Sequence, residues 1–210
     1  MPLNLVTYNA PPAVSLVPGT TVTQYADHTG SSLYSDLHGK WYNAAKNGFV
    51  FSANVTAVTL PVVAATLASK FSIYNQAGSG KNLELISADI GFVSTVTVVD
   101  VVGLYYEQSA SLNPTSITFG TAVGGLIGNS TTPVGKFATA LTHTSGITPT
   151  RLMILSTFGA VTSTADNPIH YDFDGKVIVP PGTIISIAMS TGAGAASATD
   201  IGLSWAEWPV

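Results

Sequence analysis

The chain has 210 residues, no Cys, seven Lys and Arg against eleven Asp and Glu, and a formal net charge of −4. Without Cys there is no disulfide framework, no thiolate metal site and no thiol nucleophile, and basic residues scattered singly offer no stripe to a phosphate backbone, which argues against direct nucleic-acid binding. Only 9% of residues are charged and 46% are hydrophobic, at a mean hydropathy of +0.38; an ordinary soluble domain carries about 25% charge, so the composition points to a surface covered by other subunits, because interface cores are depleted of charge.

The opening Met1-Pro2-Leu3-Asn4-Leu5 has no basic region ahead of an apolar stretch and does not read as a secretory signal. Residues 1–40 are punctuated by Pro11-Pro12, Val17-Pro18-Gly19-Thr20 and Thr29-Gly30-Ser31-Ser32, without a sustained period. Two readings stay open for them. One is an extended N-terminal arm, for which Tyr8, Leu16, Val17, Tyr25, Leu33 and Tyr34 argue, since a solvated tail has little use for such side chains; the other is a disordered terminus.

Residues 41–210 read as one β domain, a length that a single sandwich or barrel can fill. Short runs rich in β-branched and aromatic residues alternate with turn residues. The strands expected are Phe49 to Thr59, Phe71 to Asn75, Asn82 to Phe92, Thr95 to Glu107, Thr115 to Phe119, Lys136 to His143, Arg151 to Phe158, Lys176 to Val179, Thr183 to Thr191 and Asp200 to Trp208. Plain alternation, as in Ile185-Ser186-Ile187-Ala188-Met189, marks antiparallel strands with one buried face. Pro61 to Ser69 is the one helix candidate, with Pro in the first turn of an Ala-rich stretch. Pro61, Asp100, Glu107 and Pro180 interrupt every apolar window before it reaches the roughly 18 residues of a membrane-spanning helix, so no membrane partner is expected.

Several motifs invite chemistry. Gly78-Ser79-Gly80-Lys81 hints at a phosphate loop, but Asn75 and Asn82 stand where the motif needs Gly and Ser or Thr, so a hairpin turn is expected. Asp172 and Asp174 before Gly175 look like half a calcium loop, yet Lys176-Val177-Ile178-Val179 supplies no later acidic ligand; a hairpin turn with an acidic tip is expected there too. His28, His38, His143 and His170 lack zinc-site spacings. No Gly-x-Ser-x-Gly elbow occurs, and Glu84, Glu107 and Glu207 are the only Glu residues that could join a pair of carboxylates for glycoside hydrolysis. Catalytic, metal and cofactor residues are therefore expected to be absent, and the chain is read as a non-enzyme. Asn54-Val55-Thr56 and Asn129-Ser130-Thr131 fit the glycosylation pattern. Trp41, Tyr42, Tyr105, Tyr106, Trp205 and Trp208 could stack on sugars, but their place in strand runs favours core or interface packing.

Two stretches, Phe71 to Leu85 and Pro180-Pro181-Gly182-Thr183 through Ser204-Trp205-Ala206-Glu207-Trp208-Pro209, resemble small structural proteins of tailed bacteriophages, of the kind that decorate or cement the head. The resemblance covers the chain from Phe71 onward and carries over no functional residue. It implies an all-β, antiparallel, jelly-roll-like sandwich, often trimeric, sitting on the major capsid protein of a virion assembled in the host cytoplasm. A tail-fibre, receptor-binding or carbohydrate-binding module fits the same features. In either case Ile184 to Met189 and Ile201 to Trp208 should pair as a hairpin across a Gly/Ala-rich turn and offer one apolar face to a neighbouring copy.

Overall fold

The computed structural model describes residues 40–64, 67–93, 100–109, 112–128, 130–158, 168–190 and 198–210. The expected arm therefore lies outside the described residues, apart from Lys40. The remaining described residues form an almost all-β sandwich of two antiparallel sheets. A short helix, α1 (Tyr42–Lys46), precedes β1 (Val50–Thr59), β2 (Ala68–Ser69), β3 (Ser72–Asn75), β4 (Lys81–Phe92), β5 (Asp100–Gln108), β6 (Thr115–Phe119), β7 (Val123–Gly124) and β8 (Lys136–Thr142). Then follow β9 (Thr150–Phe158), β10 (Ile169–Asp172), β11 (Ile178–Val179), β12 (Thr183–Met189) and β13 (Ala198–Pro209).

The first sheet runs β10-β4-β13-β1-β7, with β11 also on β4; the second runs β2-β8-β3-β12-β5-β9, with β6 on the free edge of β8. Leaving aside the short pieces and the β6–β8 excursion, eight long-range strands switch sheets at every step except β5 to β9, and pair as β1 with β13, β3 with β12, β4 with β10 and β5 with β9. That nesting of first with last is the jelly-roll order, two Greek keys folded over one core.

The core lies between the sheets. Phe51, Leu83, Leu85, Ile90, Leu203 and Trp205 from the first meet Ile73, Leu104, Phe137, Ile185 and Ile187 from the second. Phe51 packs on Trp205 with centroids 6.0 Å apart, and Phe71 on Phe137 at 5.1 Å. Along β4 the inward positions change phase, from Leu83 and Leu85 to Ala88 and Ile90. A bulge opposite Ser204 and Trp205 absorbs the extra residue, so both apolar runs face inward although strict alternation fails.

Three expectations about pairing are corrected. Ile184 to Met189 and Ile201 to Trp208 do not form a hairpin: β12 is central in the second sheet and β13 in the first. Their surplus apolar positions are covered by their own chain. Outside β12, Ala188 packs with Leu67 and Tyr105, and Ile184 with Ala138 and Leu141; outside β13, Ala206 and Trp208 pack under Ala44 and Ala45 of α1. Gly78 to Lys81 is likewise no hairpin, because β3 and β4 belong to different sheets, and the turn carries the chain over the sandwich end. Asp172 to Lys176 is an out-and-back step along one partner, since β10 and β11 both pair with β4.

The helix expected over Pro61 to Ser69 is also absent from its described residues. Pro61 O accepts from Met189 N–H at 2.9 Å, Val63 N–H donates to Met189 O at 3.0 Å, and Ala68 and Ser69 form β2 on β8. Leu60 is buried in the inter-sheet core and Leu67 in the cluster outside the second sheet. A helix would place residues seven apart on one face, so burying these two in separate clusters requires extended chain. Tertiary burial outweighs the modest helix preference of Ala.

Candidate functional site

Between β5 and β9 the jelly roll carries an insertion, residues 109–149, that extends both sheets. Its β8 pairs with β3, its β6 pairs with β8 and ends that sheet, and its β7 pairs with β1 at the edge of the other. From Gln108 to Thr150 the sequence has one charged residue, Lys136. Large apolar side chains stand out from it: Phe119 is 50% exposed, Val123 59% and Ile127 93%, with Leu126 beside them. An open groove of about 530 Å³ runs between its two walls, lined by Phe119, Ala122, Val123, Pro133, Lys136 and Phe137. Gly120 lies in that lining, and its N–H donates to Phe137 O at 3.0 Å. A Cβ there would lie 2.6 Å from Phe137 Cδ1, so the close approach of backbone to ring requires Gly.

Two buried carboxylates fix the insertion to the scaffold. Glu207, on β13, accepts from Gly135 N–H at 2.8 Å, Val134 N–H at 3.1 Å, Lys81 Nζ at 3.2 Å and Trp205 Nε1 at 3.3 Å. Both of its oxygens are thereby used, which offsets the cost of burying the charge. The loop before β8 is pressed so tightly here that a Cβ on Gly135 would meet Leu83 Cδ1 at 2.8 Å.

The second is Glu107, at the end of β5. Its Oε2 lies 2.8 Å from His143 Nδ1 and accepts from Thr144 N–H at 3.2 Å. The other ring nitrogen of His143, Nε2, is 2.8 Å from Ser186 Oγ, which is 2.6 Å from Ser72 Oγ. All four side chains are buried, and Glu107 Oε1 meets no hydrogen-bond partner among the described residues. Burial holds the His143 pKa below its ordinary value, against the opposing pull of Glu107. Carboxylate, imidazole and hydroxyl stand in the order of a hydrolase triad, but Ser186 is buried mid-strand on β12 between Ile184 and Ala188, which pack with Leu141 and Leu67 in turn. A nucleophile needs a place for substrate beside it, and Ser186 lines neither the groove at Phe119 nor the hollows at Val177 and at Asn54.

The remaining candidates are dispersed. Glu84 accepts from Trp208 Nε1 at 2.7 Å and sits outside β4, whereas Glu207 turns inward and Glu107 belongs to the other sheet, so the three Glu form no facing pair. Asp174 N–H donates to Asp172 Oδ1 at 2.8 Å, an Asx turn with Phe173 buried beneath it. His170 and Asp89 pair at 2.7 Å on the exposed outside of the first sheet, which raises the His170 pKa through the hydrogen bond and charge of Asp89. His28, His38 and Asn129 lie outside the described residues. Asn54 is exposed on β1. Trp205 is core, Trp208 packs on Phe49 with centroids 5.6 Å apart, and Tyr105 is buried, so packing is the fate of most of the aromatics singled out; Tyr42 is exposed. Among the described residues no cluster of three His, Asp or Glu could hold a metal ion, and no helix is long and apolar enough to cross a membrane.

The sequence points to neither the insertion surface nor the His143 network through any motif. The first has a signal, the run from Gln108 to Thr150 with its single charge. The second has none, because its members come from β3, β5, β12 and the end of β8. Comparison of the chain with protein families, with curated proteins and with solved structures gave no match.

Proposed function

We propose that this chain is a non-enzymatic structural subunit of a virus particle, a decoration or cement protein that binds an assembled bacteriophage shell. Its contacts with copies of itself and with the major capsid protein are made through the 109–149 insertion. The observation that carries this reading is that Phe119, Val123, Leu126 and Ile127 stand exposed on a surface whose one charge is Lys136. Contiguous exposed apolar side chains on a folded domain mark a surface for association, and a closed ring, a trimer by the phage resemblance, covers such a surface without growing into fibres. The mechanism is thermodynamic. A subunit that binds the assembled shell and not its separated parts stabilises the shell by about 2.7 kcal/mol per site at a hundredfold excess over Kd.

One observation favours the second reading, a carbohydrate- or receptor-binding module. Outside the first sheet lies a hollow of about 330 Å³ whose lining includes Ser52, Asn54, Asp89, Thr121 and Ser204, polar groups of the kind that fix a ligand's orientation. Co-sedimentation with expanded phage heads, run beside a glycan array, separates the two. The first reading requires binding to heads and its loss in a Leu126→Asp/Ile127→Asp variant. Binding to glycans without binding to heads overturns it in favour of the second.

A further inference from the structure

The His143 network does more than fill space. His143 and Thr144 stand at the end of the insertion's last strand and Glu107 just before its start, so the network ties both ends of the insertion to Ser186 at the centre of the second sheet. Two further bonds reinforce the tie: His143 N–H donates to Leu67 O at 2.9 Å, and Asn113 N–H to the Thr144 side-chain Oγ1 at 3.2 Å. We propose that Glu107, His143, Ser186 and Ser72 form an acid-released latch that holds the 109–149 insertion against the outer face of the second sheet.

With His143 neutral, Nδ1–H donates to Glu107 and Nε2 accepts from the Ser186 hydroxyl, which leaves Ser186 Oγ free to accept from Ser72. Every hydroxyl hydrogen then has an acceptor. Protonation puts a second hydrogen on the ring, at Nε2. Ser186 can no longer donate to the ring; it must turn its hydrogen to Ser72, and the Ser72 hydroxyl hydrogen loses its acceptor in a buried site. At the same time an imidazolium is created away from water, and the hydrogen bond and charge of Glu107 offset only part of that desolvation. Both changes favour an opened state in which water reaches the ring.

Little else in the surroundings offsets this. On the elements packed around the ring, β5 presents Glu107 and, on the same face, Tyr105; β3 presents Ser72 and Tyr74; β12 presents Ser186 between Ile184 and Ala188. Leu67 and Leu141 pack on the flanking Ala188 and Ile184, and Arg151 of β9, in register with Tyr105, is exposed. Among the described residues Glu107 is the anion hydrogen-bonded to the ring, and it lies on the Nδ1 side, where the bond exists in either state.

The test is amide hydrogen exchange on the full chain, expressed as protection factors between pH 7.5 and 5.0, with the His143 ring followed by NMR. Amides of residues 112–142 should lose protection by up to about tenfold per pH unit below the ordinary His range, in step with the His143 titration, while amides of β4 and β13 keep theirs. His143→Gln, which cannot titrate, should remove the pH dependence, and His170→Asn should leave it intact. If His143→Gln does not fold, the wild-type NMR titration still decides the matter. A His143 ring that titrates at its ordinary value while residues 112–142 stay protected overturns the latch, as does an acid response that persists in His143→Gln.

Discussion

Replacing Glu207 by Ala tests how the insertion is anchored, and the structure sets the size of the effect. The substitution removes the acceptor of four donors. Two of them, Gly135 N–H and Trp205 Nε1–H, are in buried bonds; the other two, from Val134 and Lys81, are part-buried. A buried donor left without a partner costs about 1–3 kcal/mol, and the part-buried pair can recover some bonding from water. The expected loss is therefore about 3–5 kcal/mol, against a total stability of about 5–15 kcal/mol for a domain. Glu207→Gln is the milder probe. Its amide oxygen still serves Gly135 and Trp205, but its amino group meets the Val134 and Lys81 donors, and the loss should be about 2 kcal/mol. Urea unfolding followed by Trp fluorescence measures both, because Trp205 is one of the partners. The midpoint should fall with the slope unchanged. An Ala variant within about 0.5 kcal/mol of the wild type, the range of surface substitutions, would show that the carboxylate anchors nothing.

Gly120→Ala should cost about 1–3 kcal/mol by driving a Cβ into the ring of Phe137, read as a lowered thermal midpoint. Leu126→Asp/Ile127→Asp should leave the unfolding free energy within about 0.5 kcal/mol of the wild type while reducing the mass seen by light scattering after size exclusion, if the insertion surface is what brings copies together; an unchanged oligomer refutes that role. Burial holds His143 below its ordinary range, so on acidification the unfolded chain takes up the proton first. Its contribution to stability is complete above about pH 6.5 and is lost as the pH falls toward the folded value, which urea midpoints across that window should show in the wild type and not in His143→Gln. His170 behaves oppositely. Its raised pKa adds stability below the ordinary value that is lost as the pH rises through the folded one; Asp89→Asn should return the ring's NMR titration toward the ordinary value, and salt should weaken the shift because the pair is exposed.

The sequence by itself determined the class of fold and most of its strands. Thr115 to Phe119 occupies the expected bounds, Arg151 to Phe158 gains only Thr150, and the alternation of Ile185, Ile187 and Met189 identified the inward face of β12. These are local facts: β-branched residues at a period of two produce extended chain with one apolar face wherever it ends up, although in β12 the outer positions expected to be open are buried too. The single-charge run from Gln108 to Thr150 was equally open to reading, and it coincides with the insertion. Pairing was decided only by the tertiary structure. Alternation says which side chains are buried but not what they are buried against, so β12 and β13, adjacent in sequence and both apolar, were expected to pair and instead face each other across the core. The same lack of partner information made Pro61 to Ser69 look helical, although Leu60 and Leu67 had to reach separate clusters, and it hid the His143 network. That network joins Glu107, His143, Ser186 and Ser72 across separations of 36, 43 and 114 residues, and a side chain's chemistry at such distances is set by the strand order of the folded sheet, which no local period encodes.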